Sequence, residues 1–392
     1  MKVLVVGSGG REHALVWALA RSPDVELHAA PGNPGIAALA QCHPARAEDP
    51  AAIVPLAAEL DVDLVVVGPE APLVIGLADA LRRRGISVFG PSAAAARIEG
   101  SKAFAKDVIE AAGVATARTL AVARPPCVVK ADGLAAGKGV WVCSDQAALD
   151  AALRAAQALG QPFHVEELLE GPELSVFAIA SGEEAIVLPG ARDYKRVGDG
   201  DSGPNTGGMG SFSPVADAPD AEEIVEAIHR PVLRELARRG TPFSGLLYGG
   251  LMLTERGPHV IEFNCRFGDP ETQSILPRLG DGLLETLAAA AAGELAGVAA
   301  PTADGAAITV VVASGDYPER GDAGTPIDME ATEALVFHAG TALQDGRLVT
   351  NGGRVLNVVG TGDTVAEARS AAYASVAHIH FAGMQFRSDI AG

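Results

Sequence analysis

Residues 1 to 90 alternate apolar strands with helices, and the strands end in turns rich in glycine and proline. The apolar runs lie at Lys2–Val6, Val25–Ala30, Leu64–Val67 and Ile86–Phe89. Between them, helical spacing covers Gly10–Arg21, Pro50–Leu60 and Pro72–Arg84. Repeated β-α units of this kind restrict the segment to an open parallel sheet. Ligands of such sheets bind at the carboxyl ends of the strands. Those ends carry Pro31-Gly32-Asn33-Pro34, Gly68-Pro69-Glu70 and Gly90-Pro91-Ser92.

The first turn, Gly7-Ser8-Gly9-Gly10-Arg11-Glu12, fails the dinucleotide fingerprint. Glu12 stands at the third glycine position, and the second strand ends in Ala29-Ala30-Pro31 without an acid for a ribose hydroxyl. Backbone amides at a helix N-terminus still hold phosphate. Gly9, Gly10 and Arg11 are therefore read as a phosphate site with Arg11 as its clamp, against the alternative of a purely structural turn.

A second signal lies at Val260–Glu271, V-I-E-F-N-C-R-F-G-D-P-E. Its first half has strand character, so Glu262 and Asn264 share one face while Ile261 and Phe263 take the other. A carboxylate beside an amide oxygen suits a Mg²⁺ that is also held by nucleotide phosphates. Arg266 follows, placed for an anion bridged by that metal. The competing reading is a strand ending in a polar turn. Upstream, V-V-K-A-D-G-L-A-A-G-K-G-V at Val128–Val140 carries Lys130 and Lys138 around a glycine-rich loop. Glycines turn backbone amides toward phosphate oxygens and lysines add charge. Three residues separate Gly133 from Gly137 and no Ser or Thr follows Lys138, so this is not a Walker A loop. A hairpin lid over phosphates fits better, with an ordinary glycine hairpin as the alternative.

A formal charge of −19 argues against nucleic acid as a partner. Four scattered cysteines form neither a disulfide frame nor a zinc site. Val3–Val6 is too short for a signal-peptide core, and Leu283–Ala300 is broken by Glu285, Gly293 and Glu294. A cytoplasmic protein without membrane contact is the expectation. Further along, Asp145–Leu159 and Asp220–Arg239 read as helices, and Phe243–Leu253 with His259–Asn264 as a hairpin. Residues 196 to 211 form a long glycine-dense loop of the kind that is usually functional. Beyond Ala303 the pattern is strand-rich and looks like a separate domain.

Taken in order, these segments resemble the glycinamide ribonucleotide synthetase family of ATP-grasp enzymes from residue 1 to about 390. The resemblance is carried by GSGGREHAL at Gly7–Leu15, VGPEAPL at Val67–Leu73, EGSKAF at Glu99–Phe104 and the lysine loop. It continues through KRVGDGDSGPNTGGMG at Lys195–Gly210, Gly249–Met252, Ile261–Glu271, FHAGT at Phe337–Thr341 and VTNGGRVL at Val349–Leu356. It implies a mixed α/β and α+β multidomain fold. An N-terminal parallel-sheet substrate domain would span residues 1–100. An ATP-grasp domain would span 101–302, with a lid over about 122–190, and a strand-rich C-terminal domain 303–392.

The implied reaction is carbon–nitrogen ligation of glycine to 5-phosphoribosylamine through a glycyl phosphate, with ATP and Mg²⁺ or Mn²⁺, in purine synthesis. By resemblance, Lys130, Lys138, Gly137 and Gly139 hold ATP phosphates, Glu166, Glu167 and Leu168 face adenine, and Glu173 binds the ribose. Glu262 and Asn264 hold the metal. Asp193, Lys195 and Arg266 do the chemistry, with Asn205, Gly207 and Gly208 around glycine. Gly9, Gly10, Arg11, Pro69 and Glu70 meet phosphoribosylamine. The oligomeric state is open, with a monomer as the default. Two family segments are missing: a helix before Lys130, where Ala123-Arg124-Pro125-Pro126 bridges directly, and a glycine-rich insertion replaced by Gly160-Gln161-Pro162. The rival readings are another ATP-grasp carboxylate ligase, a nucleotide-binding oxidoreductase and an inactive ATP sensor.

Overall fold

The computed structural model describes residues 1–133 and 139–392. The N-terminal strands form a five-stranded parallel sheet. Lys2–Gly7 sits at its centre, flanked by Glu26–Pro31 and Leu64–Val67. Gln41–Cys42 and Val88–Phe89 form the edges. Val3 to Val6 and Leu64 to Val67 are buried, because helices cover both faces of a parallel sheet. The helix after the first turn runs Gly10–Leu19. Asp49 caps Pro50–Glu59 by accepting from Ala51 N at 3.0 Å. The single helix expected over Pro72–Arg84 is two, Glu70–Val74 and Leu77–Arg82. Gly76 between them adopts φ +89°, a left-handed conformation that ends one helix and starts the next.

The centre of the molecule is an eight-stranded sheet. Its order is Gly257–Asn264, Ser244–Thr254, Glu173–Ser181, Glu184–Asp193, Gly210–Ser213, Ala306–Ala313, Arg354–Gly362 and Leu335–His338. The expected separate C-terminal domain thus shares a sheet with the ATP-grasp strands, joined where Gly210–Ser213 pairs with Ala307–Val310. Asp220–Arg239 is one helical course, capped by Asp220, with a π turn at Val225–His229.

The small sheet contains Val140–Cys143, Cys127–Ala131 and Phe163–Glu167, all antiparallel. Helix Gln146–Ala158, capped by Asp145, packs on it through Leu149, Ala152 and Ala156. This lid is smaller than the expected 122–190, since the strands from Glu173 onward belong to the large sheet. No helix lies between Thr116 and Cys127, and Gly160 at φ +66° turns the chain directly toward the strand at Phe163. The expected long loop at 196 to 211 holds a hairpin, Arg196–Gly198 with Ser202–Asn205. Arg387, 1% exposed, fastens it through Asp201 at 2.7 Å and Arg196 O at 3.2 Å. Among the described residues, no helix is long and apolar enough to cross a membrane.

Candidate active site

In strand Gly257–Asn264, Phe263 lies in the core while Glu262 and Asn264 stay half-buried, as expected; Ile261, expected on the packed face, is half-buried too, because the pairing with Ser244–Thr254 shifts register there and Val260 takes the buried position. Gly250 lies opposite Glu262, and a side chain there would come 3.2 Å from Glu262 Cγ, so the glycine leaves room beside the carboxylate. Asp193, Glu173 and Glu262 lie around the Lys195 ammonium, and Glu271 faces Asp193. Lys195 pairs with Glu173 and lies 3.7 Å from Asp193. Burial pushes the Asp193 carboxyl up, Lys195 pulls it down, and Glu271, Glu173 and Glu262 push it up again, leaving it above its ordinary range. Against burial, Asp193 and Glu173 keep Lys195 protonated. Among the described residues no three acidic, histidine or cysteine side chains come together as a metal cage, so a divalent cation here would be held by Glu262 and the Asn264 amide oxygen with nucleotide phosphate oxygens completing its shell. Glu271, Tyr248 and Ser175 are buried here without a sequence signal of their own. Ser175 Oγ lies 2.9 Å from Tyr248 Oη and 3.5 Å from Glu271.

Lys130 reaches strand Gly257–Asn264, donating to Ile261 O at 3.1 Å. It also pairs with Glu166 at 2.7 Å, and Lys106 pairs with the same carboxylate at 3.1 Å. Burial alone would raise the Glu166 carboxyl, but the hydrogen bond with His164 and the charges of Lys130 and Lys106 bring it down to about 2. The Glu166 side chain, expected to face adenine, is here the counter-ion of two lysines. Glu167 points to the opposite face, to Arg118 at 2.9 Å and Arg256 at 3.3 Å. Leu168 follows, half-buried. Gly139 O accepts from Ala131 N at 2.8 Å and closes the base of the loop, whereas Gly137 and Lys138 lie outside the described residues. Lys102, unassigned from sequence, donates to Gly133 O at 3.1 Å. Burial lowers its pKa, and Glu262, Lys130 and Asp132 are the charges it feels next. The segment EGSKAF contained it, but nothing in that segment alone marks its lysine as facing a metal strand.

Arg266 donates to Glu70 at 3.2 Å and to Phe267 O at 3.1 Å, and pairs with Glu99 at 3.0 Å. Burial opposes ionisation of Glu70, yet Arg266 and then Arg11 hold it down to about 2. Arg11 is 7% exposed; it donates to Glu12 at 2.5 Å and to Phe267 O at 3.2 Å. Glu12 in turn accepts from Gly9 N at 2.5 Å. At the turn expected to clamp phosphate, the Arg11 guanidinium thus faces the domain junction, and the Glu12 carboxylate occupies the Gly9 amide. Pro69 starts helix Glu70–Val74. A side chain on Gly10 would strike the amides of Asn357 and Gln273, so this turn is pressed against the other two domains.

The glycine-rich loop comes next to the acidic group. Thr206 Oγ1 donates to Lys195 O at 2.8 Å and accepts from Gly208 N at 2.9 Å. Asn205 pairs with Arg196 across the hairpin. Two C-terminal residues reach this loop without having been foreseen. Gly207 N donates to Tyr317 Oη at 2.8 Å, and Arg354 Nη1 donates to Gly207 O at 2.6 Å.

Three phosphoribosylglycinamide synthetase models match this chain: the N domain at residues 1–99, the ATP-grasp domain at 100–272 and the C domain at 307–392. The chain belongs to the phosphoribosylglycinamide synthetase family. A phosphoribosylamine–glycine ligase of Streptomyces coelicolor is 52% identical over 414 aligned positions, covering 100% of this chain and 99% of the relative. That of Corynebacterium ammoniagenes is 48% identical and covers 100% and 97%. Because 414 positions exceed the 392 residues here, the family relative carries internal residues without a counterpart in this chain. The solved phosphoribosylamine–glycine ligase of Thermotoga maritima superposes with a TM-score of 0.88 at 36% identity, over 100% of both chains. A biotin carboxylase domain of Hydrogenobacter thermophilus 2-oxoglutarate carboxylase, solved with MgADP, has a TM-score of 0.74 at 17% identity over 98% and 91%. That likeness extends the ATP-grasp fold beyond the family.

Proposed function

We infer that this chain ligates glycine to 5-phosphoribosylamine with ATP and Mg²⁺ or Mn²⁺, giving glycinamide ribonucleotide, ADP and phosphate in purine synthesis. The observation that carries the reading is Lys130 at the metal strand. An ammonium, a Glu-x-Asn pair and a glycine-rich loop converge on one acidic pocket inside a fold whose family performs this ligation. In our reading the glycine carboxylate attacks the γ-phosphate, and a divalent cation held by Glu262 and Asn264 would supply positive charge for the transferring group. Lys130, once Glu166 releases part of its hold, takes up phosphate charge together with Lys102. The loop at Asn205–Gly208 and Arg266 border the glycyl phosphate, and the amine of phosphoribosylamine then expels phosphate from it. We assign Glu173 and the chain at Glu167–Leu168 to the nucleoside. Its substrates are small molecules, and a cytoplasmic, monomeric enzyme is the form we propose. A coupled assay tests the reading: ADP release must require both glycine and freshly generated phosphoribosylamine. ADP release that accepts bicarbonate in place of glycine would overturn it.

A further inference from the structure

The amine that attacks the acyl group must lose a proton, and the sequence offers no evident acceptor for it. The structure places one at the junction of the three domains. Asp269 lies in the turn after the metal strand, and its side chain is 15% exposed. Its Oδ1 accepts from Gln273 Nε2 at 2.8 Å, and its Oδ2 pairs with Arg354 Nη2 at 3.1 Å. Arg354 also donates to Asp269 O at 2.8 Å. On one side, Asp269 Oδ2 stands 3.7 Å from where a side chain on Gly9 would begin. On the other, Asp269 O lies 3.6 Å from the same point on Gly208. The carboxylate thus sits against the first turn of the parallel sheet, at the strand ends where such sheets bind ligands, while the backbone carbonyl of the same residue faces the loop we assign to the glycyl phosphate.

We propose that Asp269 receives the amine of phosphoribosylamine and takes its proton as the carbon–nitrogen bond forms. The nitrogen lone pair attacks the acyl carbon, the carbon–oxygen bond to phosphate breaks, and phosphate leaves with that electron pair. One N–H proton passes to Asp269 and then to solvent. Arg354 and Gln273 are positioning residues that act through this carboxylate. Two bonds fix its plane and leave lone pairs free, since an ionised carboxylate has about four acceptor sites. The assignment rests on the acyl-phosphate reading above.

Asp269→Asn removes the base with little change of shape. Gln273 Oε1, which has no hydrogen-bond partner among the described residues, can turn to accept from the new amide. Hydroxylamine, a small neutral nucleophile, traps glycyl phosphate as glycine hydroxamate without needing the phosphoribosyl site. With glycine and ATP, the variant retains hydroxamate formation at the parental rate. Ligation to phosphoribosylamine falls about 100-fold in kcat, the scale of lost general base catalysis. Arg354→Lys keeps the charge but loses the fork. It lowers ligation by roughly tenfold, and adding it to Asp269→Asn lowers ligation no further, as expected of coupled neighbours. Parental ligation by Asp269→Asn, or equal loss of both activities, overturns the proposal alone. Multiplying losses in the double variant overturn the role given to Arg354. A parent enzyme that forms no hydroxamate overturns the acyl-phosphate reading and this proposal together.

Discussion

Glu262 can lose its charge without disturbing the strand that carries it. Its neighbour Phe263 packs into the core, whereas the carboxylate faces the pocket. Glu262→Gln should cut turnover by on the order of 10² or more if the metal it holds stabilises the transferring phosphoryl group. The melting temperature without ligand should hardly move, and a large drop with retained activity would make the residue structural. Arg11 behaves in the opposite way. Its guanidinium is the partner of Glu12, which is 2% exposed, and removing it leaves a buried carboxylate unpaired. Arg11→Ala should therefore cost about 3 kcal/mol in denaturant unfolding. Unchanged stability with a raised KM for phosphoribosylamine would restore the clamp reading. The contrast shows what sequence can and cannot reveal about a side chain. Strand alternation places Glu262, because faces follow from a period of two. Nothing local tells that Glu12 folds back over Gly9 or that Arg11 turns toward Phe267, a residue distant in sequence. Lys102 and Arg354 escaped for the same reason: each becomes functional only through partners on other elements.

The lid is the element in which two segments expected from the family resemblance are absent. One helix and three strands bury only Cys127, Val129, Cys143, Leu149, Ala152, Ala156 and Val165 together, a far smaller core than that under the eight-stranded sheet. Small cores open more readily, and a ligand that binds the closed form adds its binding energy to the folded state. Amide hydrogen exchange at Val128–Lys130 and Val140–Val142 should be faster than at Val176–Ala180 in the free protein. It should slow markedly with MgATP. Equal protection of both groups without nucleotide would contradict this account of the lid. The missing helix and the tight turn at Gly160-Gln161-Pro162 were visible in the sequence, since segment length needs no tertiary information. The extent of the lid was misjudged at its far end, because the strands after Glu173 look alike whichever sheet they join.

At the scale of the whole molecule, three family domains meet at one junction. The parallel sheet brings the first turn and Glu70, the central sheet brings the metal strand and Lys195, and the C-terminal region brings Tyr317 and Arg354. The β-α alternation and the motif order disclosed the domains, because both are local patterns. The continuity of the eight-stranded sheet through Gly210–Ser213 and Ala306–Ala313 was hidden, since it pairs strands almost a hundred residues apart. Such an arrangement suits two successive steps at one acyl carbon, activation on the ATP side and capture on the phosphoribosylamine side. The direct test uses glycine labelled with ¹⁸O in its carboxylate, with ATP, phosphoribosylamine and Mg²⁺, and ³¹P NMR of the phosphate released. Attack of the carboxylate on the γ-phosphate followed by amine capture must transfer one labelled oxygen from glycine into inorganic phosphate, with ADP as the nucleotide product. Phosphate without the label, or AMP and pyrophosphate in place of ADP, would contradict the account.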